Sequence, residues 1–205
     1  MKSRQEDSES VKLGNDPLLQ SIFAEVTRLR VVGIIPRYTV GGDFQLGEWS
    51  IPEGSFLGLP SRAGAMNKEF WNAGTSEDPH PLDKFWADRF LIYPYDPQSG
   101  PLRKDRSPPG ISSTTMEGES SEEPRFSLKG LKDVYTPFGG GSSLCPGRHF
   151  ARQEVLSTLA RLVLQYDIEL DVPEAWEPRM DPAFFPTGTL PPLDKVPFRI
   201  RRRAA

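Results

Sequence analysis

A chain of 205 residues with 37% apolar content, 21 prolines and 18 glycines has room for one domain and must spend much of its length in turns and loops. Its net charge of −3 argues against a general nucleic-acid binder, so no nucleic acid is expected among its partners. A single cysteine, Cys145, excludes an internal disulfide framework. No run approaches the roughly 18 apolar residues of a membrane span, and residues 1–10 are too polar for a signal peptide, so no membrane anchor is expected in this chain.

Residues 1–15 are polar and without period, and read as a linker or a cut edge. Asp16-Pro17 then supplies an N-cap followed by proline at the first helical position. Leu18, Leu19, Ile22, Phe23 and Val26 place apolar residues at helical spacing through about Arg30. Glu25 and Arg28, three apart, share a face of that helix. The β-branched run 31–35 predicts a strand stopped by Pro36, and residues 38–40, 44–49 and 55–59 continue as short strands. Turns at Gly41-Gly42-Asp43 and Pro52-Glu53-Gly54 break them into a small sheet beside the first helix.

Residues 67–71 predict a helical turn, and residues 84–90 gather aromatics around Arg89. Over residues 97–124 Pro, Ser, Gly and charges dominate, and so little apolar surface predicts a disordered insertion. Beyond the cysteine, Phe150, Ala151, Val155, Leu159, Leu162, Val163 and Tyr166 mark the expected buried face of a long helix. Residues 168–172 and 196–201 are expected to pair as a hairpin, separated by a Pro/Gly-rich loop at 182–192.

The chemistry centres on Phe-Gly-Gly-Gly-Ser-Ser-Leu-Cys-Pro-Gly, residues 138–147. A cysteine just before a helix faces unpaired N–H groups and the positive end of the helix dipole, an environment that favours sulfur as an anion. Glycines at 139, 140, 141 and 147 let backbone approach the sulfur closely. Such a sulfur attacks a substrate or binds a metal. Nucleophilic catalysis needs a base, and only His80 and His149 exist. His149 lies four residues on, where a helix directs it away, and His80 sits in a proline-flanked loop. One Cys and two scattered His give no closed zinc ligand set, and the glycine run lacks the Gly-Lys-Ser/Thr ending of a phosphate loop. A metal held mainly by a non-protein group, with cysteine as its one protein ligand, fits what remains, and haem meets that description.

Phe138-x-x-Gly141-x-x-x-Cys145-x-Gly147 resembles the signature of the cytochrome P450 family of haem-thiolate monooxygenases. Those four positions recur by chance in fewer than about one in a thousand chains of this length. Glu25-x-x-Arg28 is similar to the family's Glu-x-x-Arg helix, and Arg89 in Ala87-Asp88-Arg89-Phe90 resembles the arginine that completes a Glu-Arg-Arg triad, with Ala-Asp in place of the usual Pro-Glu. A second match, Glu122-x-x-Arg125, is rejected because Pro124 lies between the charges. Arg37 resembles a family arginine that pairs with a haem propionate, whereas Ser143 stands where a basic propionate partner is common.

The resemblance implies a mainly α fold with a small β-sheet (α+β), the C-terminal part of the cytochrome P450 fold and an incomplete one, over residues 16–205. It implies haem b (iron protoporphyrin) as cofactor, with Cys145 as axial iron ligand and Phe138, Gly141, Gly147 and Arg37 around it. No catalytic residue of this chain is identified. Glu25, Arg28 and Arg89 would form the structural triad. Electrons would come from an NADPH-cytochrome reductase or similar donor, and Lys129, Lys132, Arg148 and Arg152 would offer that acidic partner a docking face. The substrate would be an apolar small molecule, lipid- or sterol-like, and the full-length family sits at the endoplasmic reticulum membrane on its cytosolic face. Two alternatives stand beside it: a non-catalytic truncated haem-binding fragment lacking the oxygen-activating helix, and a thiol enzyme using Cys145 as nucleophile.

Overall fold

The computed structural model describes residues 12–104, 123–174 and 176–203. Most of the segment read as a linker or cut edge (1–11) and most of the expected insertion (105–122) lie outside the described residues.

The first helix, α1 (Pro17–Arg30), begins where its cap dictates: the Asp16 carboxylate accepts from the backbone N–H groups of Leu18 and Leu19 at 2.9 and 3.1 Å. Its buried face is not the apolar one. Ser21, Ala24, Glu25, Arg28 and Leu29 are buried, while Leu18 and Val26 are more than two-fifths exposed. The neighbouring loops offer α1 hydrogen-bonding groups, so the helix turns its polar stripe inward. Ser21 Oγ donates to the Ala87 carbonyl and accepts from Phe90 N.

Strand β1 (Val31–Tyr38) leaves α1 directly and forms the centre of a three-stranded antiparallel sheet, between β4 (Phe56–Pro60) and β8 (Thr187–Thr189). Pro36 does not stop it, contrary to expectation. Pro36 pairs with Gly58 on the β4 side, and β8 reaches only Val31 to Gly33, so at residue 36 one edge of the strand is open and tolerates a missing N–H. The expected strand at 44–49 is instead a tight hairpin, β2 (Phe44–Leu46) and β3 (Trp49–Ile51), turning at Gly47-Glu48 with Gly47 in the left-handed region at φ 60°.

A short helix, α2 (Ser61–Ala65), precedes the expected turn at 67–71. Residues 97–104, assigned from sequence to the disordered insertion, are structured: Ser99, Gly100 and Pro101 are buried, and Asn72 N donates to the Pro101 carbonyl. The Asn72 side-chain amide caps the carbonyls of Gln98 and Gly100, satisfying backbone that composition alone could not predict to fold. Strand β5 (Leu91–Ile92) pairs with β6 (Arg125–Phe126) across the segment. Ala24, Trp71, Leu82, Phe90, Leu131 and Val134 form the core, with Tyr135 and Met66 against it.

Helix α3 (Arg148–Gln165) follows the cysteine loop as expected, but its buried residues are Leu156 and Ala160. Phe150, Val155, Leu162 and Val163, read from spacing as the buried face, are exposed, Phe150 by 72%. The helix is apolar on more than one side, and periodicity identified a stripe without saying which one meets α1. Strands β7 (Tyr166–Leu170) and β9 (Phe198–Arg202) pair antiparallel as the expected hairpin.

Candidate functional site

Two groups of sequence-predicted residues come together at different places. The first is Glu25, Arg28 and Arg89. Arg28 Nε and Nη2 donate to the two carboxylate oxygens of Glu25 at 2.7 and 2.8 Å, and Arg89 Nε donates to Glu25 Oε1 at 3.0 Å. All three residues are at most 1% exposed. The arginines spend their remaining hydrogens on carbonyls: Arg28 on Ala65 and Leu82, and Arg89 on Asn72, Pro81 and His80. Burial, the largest influence, holds the Arg89 guanidinium below its ordinary range, opposed by Glu25 and reinforced by Arg28. Trp86 lies beneath Arg89 at 5.1 Å and His80 stacks on Trp86 at 3.8 Å. His80 Nε2 also meets Asp78 at 3.1 Å, so this histidine belongs to the cluster.

The second group is the cysteine loop. Gly139 and Gly141 adopt φ of 79° and 62°, the left-handed region that glycine alone enters freely. Between them the chain doubles back, so Cys145 N donates to the Phe138 carbonyl at 2.9 Å. Gly147 is the N-cap residue of α3, and Arg148 Nη1 donates to the Cys145 carbonyl at 3.0 Å. The Cys145 thiol is free and exposed. Leu144, next to it in the chain, and Phe150, in the first turn of α3, are exposed apolar residues, and Phe138 is half-buried.

Arg37 reaches this loop from β1. Its Nη2 donates to the Gly140 carbonyl at 2.5 Å and its Nη1 to the Pro36 carbonyl at 2.7 Å. A guanidinium has five N–H donors, so an anion can still be held beside these two contacts. Sequence reasoning placed Arg37 near the loop through the resemblance, but it missed the Gly140 carbonyl, because a main-chain acceptor leaves no mark in residue identity. It also missed Asn72, and the phenol of Tyr135, which shares a 2.7 Å hydrogen bond with Thr27 Oγ1 of α1 and is pushed up to about 12 by burial.

The loop suits a flat, metal-bearing anionic group. It offers one accessible sulfur, a cation at Arg37, exposed apolar residues at Leu144 and Phe150, and space at its glycines. A Cβ at Gly140 would meet nothing within 4 Å, and one at Gly147 would lie 3.8 Å from Cys145 Sγ. Among the described residues no three His, Cys, Asp or Glu side chains gather where they could hold a metal ion themselves. Lys129 and Lys132 are exposed nearby in sequence, and Arg152 is stacked over Phe126 at 5.7 Å.

A sequence profile described as cytochrome P450 matches residues 121–196. The chain is 45% identical over 191 residues to cytochrome P450 monooxygenase efuG of Hormonema carpetanum, covering 93% of this chain and 32% of that protein. It is 46% identical over 194 residues to cytochrome P450 monooxygenase fsoE of Humicola fuscoatra, covering 94% and 32%. The cholesterol 7-alpha-monooxygenase of Cricetulus griseus is 28% identical over 193 residues, with 94% of this chain and 33% of that one covered. The chain thus spans about a third of the length of the curated relatives it matches. Among solved structures, retinoic acid bound cyanobacterial CYP120A1 superposes with a TM-score of 0.55 at 21% identity, over 91% of this chain and 33% of that one. With its signature loop, its Glu-Arg-Arg cluster and its likeness to two fungal monooxygenases, this chain belongs to the cytochrome P450 family, a family of haem proteins.

Proposed function

We propose that the chain binds haem b through Cys145 and supplies the thiolate side of a monooxygenase that hydroxylates an apolar, lipid- or sterol-like substrate. One observation carries the reading: the single thiol of the chain stands exposed on a glycine loop that is fastened at Phe138 and at Arg37. When bound, haem supplies oxygen activation with electrons delivered by a reductase. The chain's own residues hold and orient. Cys145 ligates the iron, Arg37 pairs with a propionate while keeping Gly140, and Phe138, Gly141 and Gly147 shape the surface beside the sulfur. The Glu25–Arg28–Arg89 cluster fixes the core on which the loop is mounted.

The sterol-like substrate class follows relatives whose names specify cholesterol 7-alpha-monooxygenase and 7-alpha-hydroxycholest-4-en-3-one 12-alpha-hydroxylase. The electron donor is an NADPH-cytochrome reductase docking on the Lys129, Lys132, Arg148 and Arg152 face, at the endoplasmic reticulum membrane. No described helix is long and apolar enough to cross a membrane. A second reading, a haem-binding chain without catalysis of its own, is favoured by the apolar faces of α3 and of β7–β9. Phe150, Ile168, Leu170, Phe198 and Ile200 are all at least 45% exposed.

The test is reconstitution with haemin, reduction and addition of CO. A red-shifted Soret band that Cys145→Ala removes is expected. A folded protein without that band, or with one that survives Cys145→Ala, sinks thiolate ligation. Turnover of a sterol with added reductase then separates the enzyme from the non-catalytic reading.

A further inference from the structure

The glycine loop has two ends, and Arg37 fixes the outer one, at Gly140. Its stem runs from Tyr135 through Thr136 and Pro137 to Phe138, whose carbonyl accepts from Cys145 N at 2.9 Å. Gly139 N donates back to the Thr136 carbonyl at 3.1 Å, so the turn under the cysteine begins one residue after Tyr135. Proline fixes its own φ and restricts the residue before it, which leaves the stem few ways to bend. Where Tyr135 sits therefore decides where the Phe138 carbonyl sits.

Tyr135 is held from several sides. Its N–H donates to the Leu131 carbonyl at 2.8 Å, and its ring stands edge-on to Trp71 at 6.3 Å and tilted against Phe90 at 5.4 Å. On the α2 side backbone meets backbone: a Cβ added at Gly64 would lie 2.8 Å from the Val134 carbonyl oxygen. On the α1 side the contact is polar. Thr27 Oγ1 lies 2.9 Å from both the Phe23 and the Ala24 carbonyls, which take its single hydrogen. The 2.7 Å contact with Tyr135 therefore runs from the phenol to Thr27. Burial pushes that phenol up to about 12, so it keeps the proton it donates.

Packing does not make this contact redundant. Thr27 and Arg28 of α1, Ser61 and Ala65 of α2, and Tyr135 and Pro137 of the stem border a cavity of about 10 Å³, room for about one water. Where side chains leave a gap, the hydrogen bond sets the spacing. We propose that Tyr135 is a positioning residue: its phenol, donating to Thr27, ties the stem of the cysteine loop to the helix of Glu25 and Arg28 and so places the Phe138–Cys145 clasp. Tyr135 acts through that clasp and not on a reacting atom. Its role toward a ligand rests on the reading of Cys145 as iron ligand; the tie itself does not.

The test is residue-resolved amide hydrogen exchange on the whole 205-residue chain without haem, comparing the Cys145 amide with the best-protected amides of α1. Tyr135→Phe is expected to speed exchange at Cys145 about five-fold, the factor that one ordinary hydrogen bond gives an opening equilibrium. Thr27→Val is expected to do the same, and the double variant no more than either alone, because both remove one contact. Thr27→Val also leaves the Tyr135 ring in the core, and serves alone if Tyr135→Phe disturbs folding by circular dichroism. Thr27→Ser keeps the hydroxyl and is expected to keep the original rate. A merely structural bond speeds the α1 amides, which exchange through global unfolding, and leaves the local opening at Cys145 unchanged. That pattern, independent effects of the two substitutions, or a fast Cys145 amide in Thr27→Ser overturns the proposal. The expected exchange pattern beside a missing CO band sinks the iron reading and leaves the tie in place. An intact CO band beside an unchanged Cys145 rate does the reverse.

Discussion

The core around Glu25 and the loop around Cys145 are built on opposite plans. In the first, charges are sealed at 0 to 1% exposure and every guanidinium is held by several acceptors drawn from four stretches of chain. In the second, a free sulfur is left in the open and only the backbone around it is fixed. The contrast separates two uses of a polar residue. Glu25 specifies a fold, because removing it strands two buried cations. Cys145 is free for a ligand, as proposed above, because its side chain is exposed and the fold is held by the backbone around it.

The largest effect tests that contrast directly. Glu25→Ala is expected to destabilise the chain by about 3 to 5 kcal/mol, enough to unfold a domain of ordinary stability, as read by urea denaturation. Cys145→Ala is expected to change stability by no more than about 0.5 kcal/mol in the same assay. If the two variants unfold alike, the division between a structural core and a ligand-directed loop is wrong.

Tyr135 sharpens the core side. Its phenol is raised from an ordinary 10.0 to about 12, mainly by burial. Both states keep the proton below pH 10. Between about 10 and 12 the unfolded chain releases it first, so stability falls as pH rises through that window, by about 2 to 3 kcal/mol in all. Tyr135→Phe is expected to flatten this part of the pH–stability curve, at a cost near neutral pH of about 1 kcal/mol for the lost Thr27 hydrogen bond.

The glycines of the loop give the smallest effects and the finest discrimination. Gly141→Ala places a side chain at φ 62° and a Cβ 3.2 Å from Arg37 Nη2, with an expected loss of about 1 to 2 kcal/mol. Gly147→Ala has an ordinary backbone and an ordinary 3.8 Å contact, so a stability change within about 0.5 kcal/mol is expected by denaturation. Equal losses at the two positions would show that the loop is pliant around Arg37.

Features with local causes were legible in the sequence. Asp16-Pro17 set the start of α1 because cap chemistry involves neighbours in the chain, and the α3 start followed the Pro-Gly step for the same reason. The pairing of β7 with β9 was legible from two short strand-like runs on either side of a Pro/Gly-rich loop. The buried face of α1 was not. Leu18 and Val26 carry the apolar signal, but the inward stripe is chosen by Ala87, Leu82 and Ala65, whose carbonyls lie far away in sequence. Residues 97–104 misled for a related reason. Their composition is that of a linker, and groups distant in sequence hold them: the Asn72 amide on the Gln98 and Gly100 carbonyls, and the Phe70 carbonyl on Arg103 N. At the candidate site, Cys145 stood out from its glycine loop and Glu25 with Arg28 from their spacing, Arg37 and Arg89 entered through the family resemblance, and the contact that joins Arg37 to the loop required coordinates.

That contact makes the loop a suspended structure. Arg37 and Gly140 are 103 residues apart, and the strand that carries Arg37 is itself clasped by β8, which follows the cysteine by some forty positions. The thiol therefore hangs from chain on both sides of it in sequence, with one side chain as the hook. Slack introduced at Thr189, or at Leu190 where its N–H meets the Arg30 carbonyl, would be delivered through β1 and Arg37 to the glycine run. Substitutions that never approach the sulfur can thus retune where it sits.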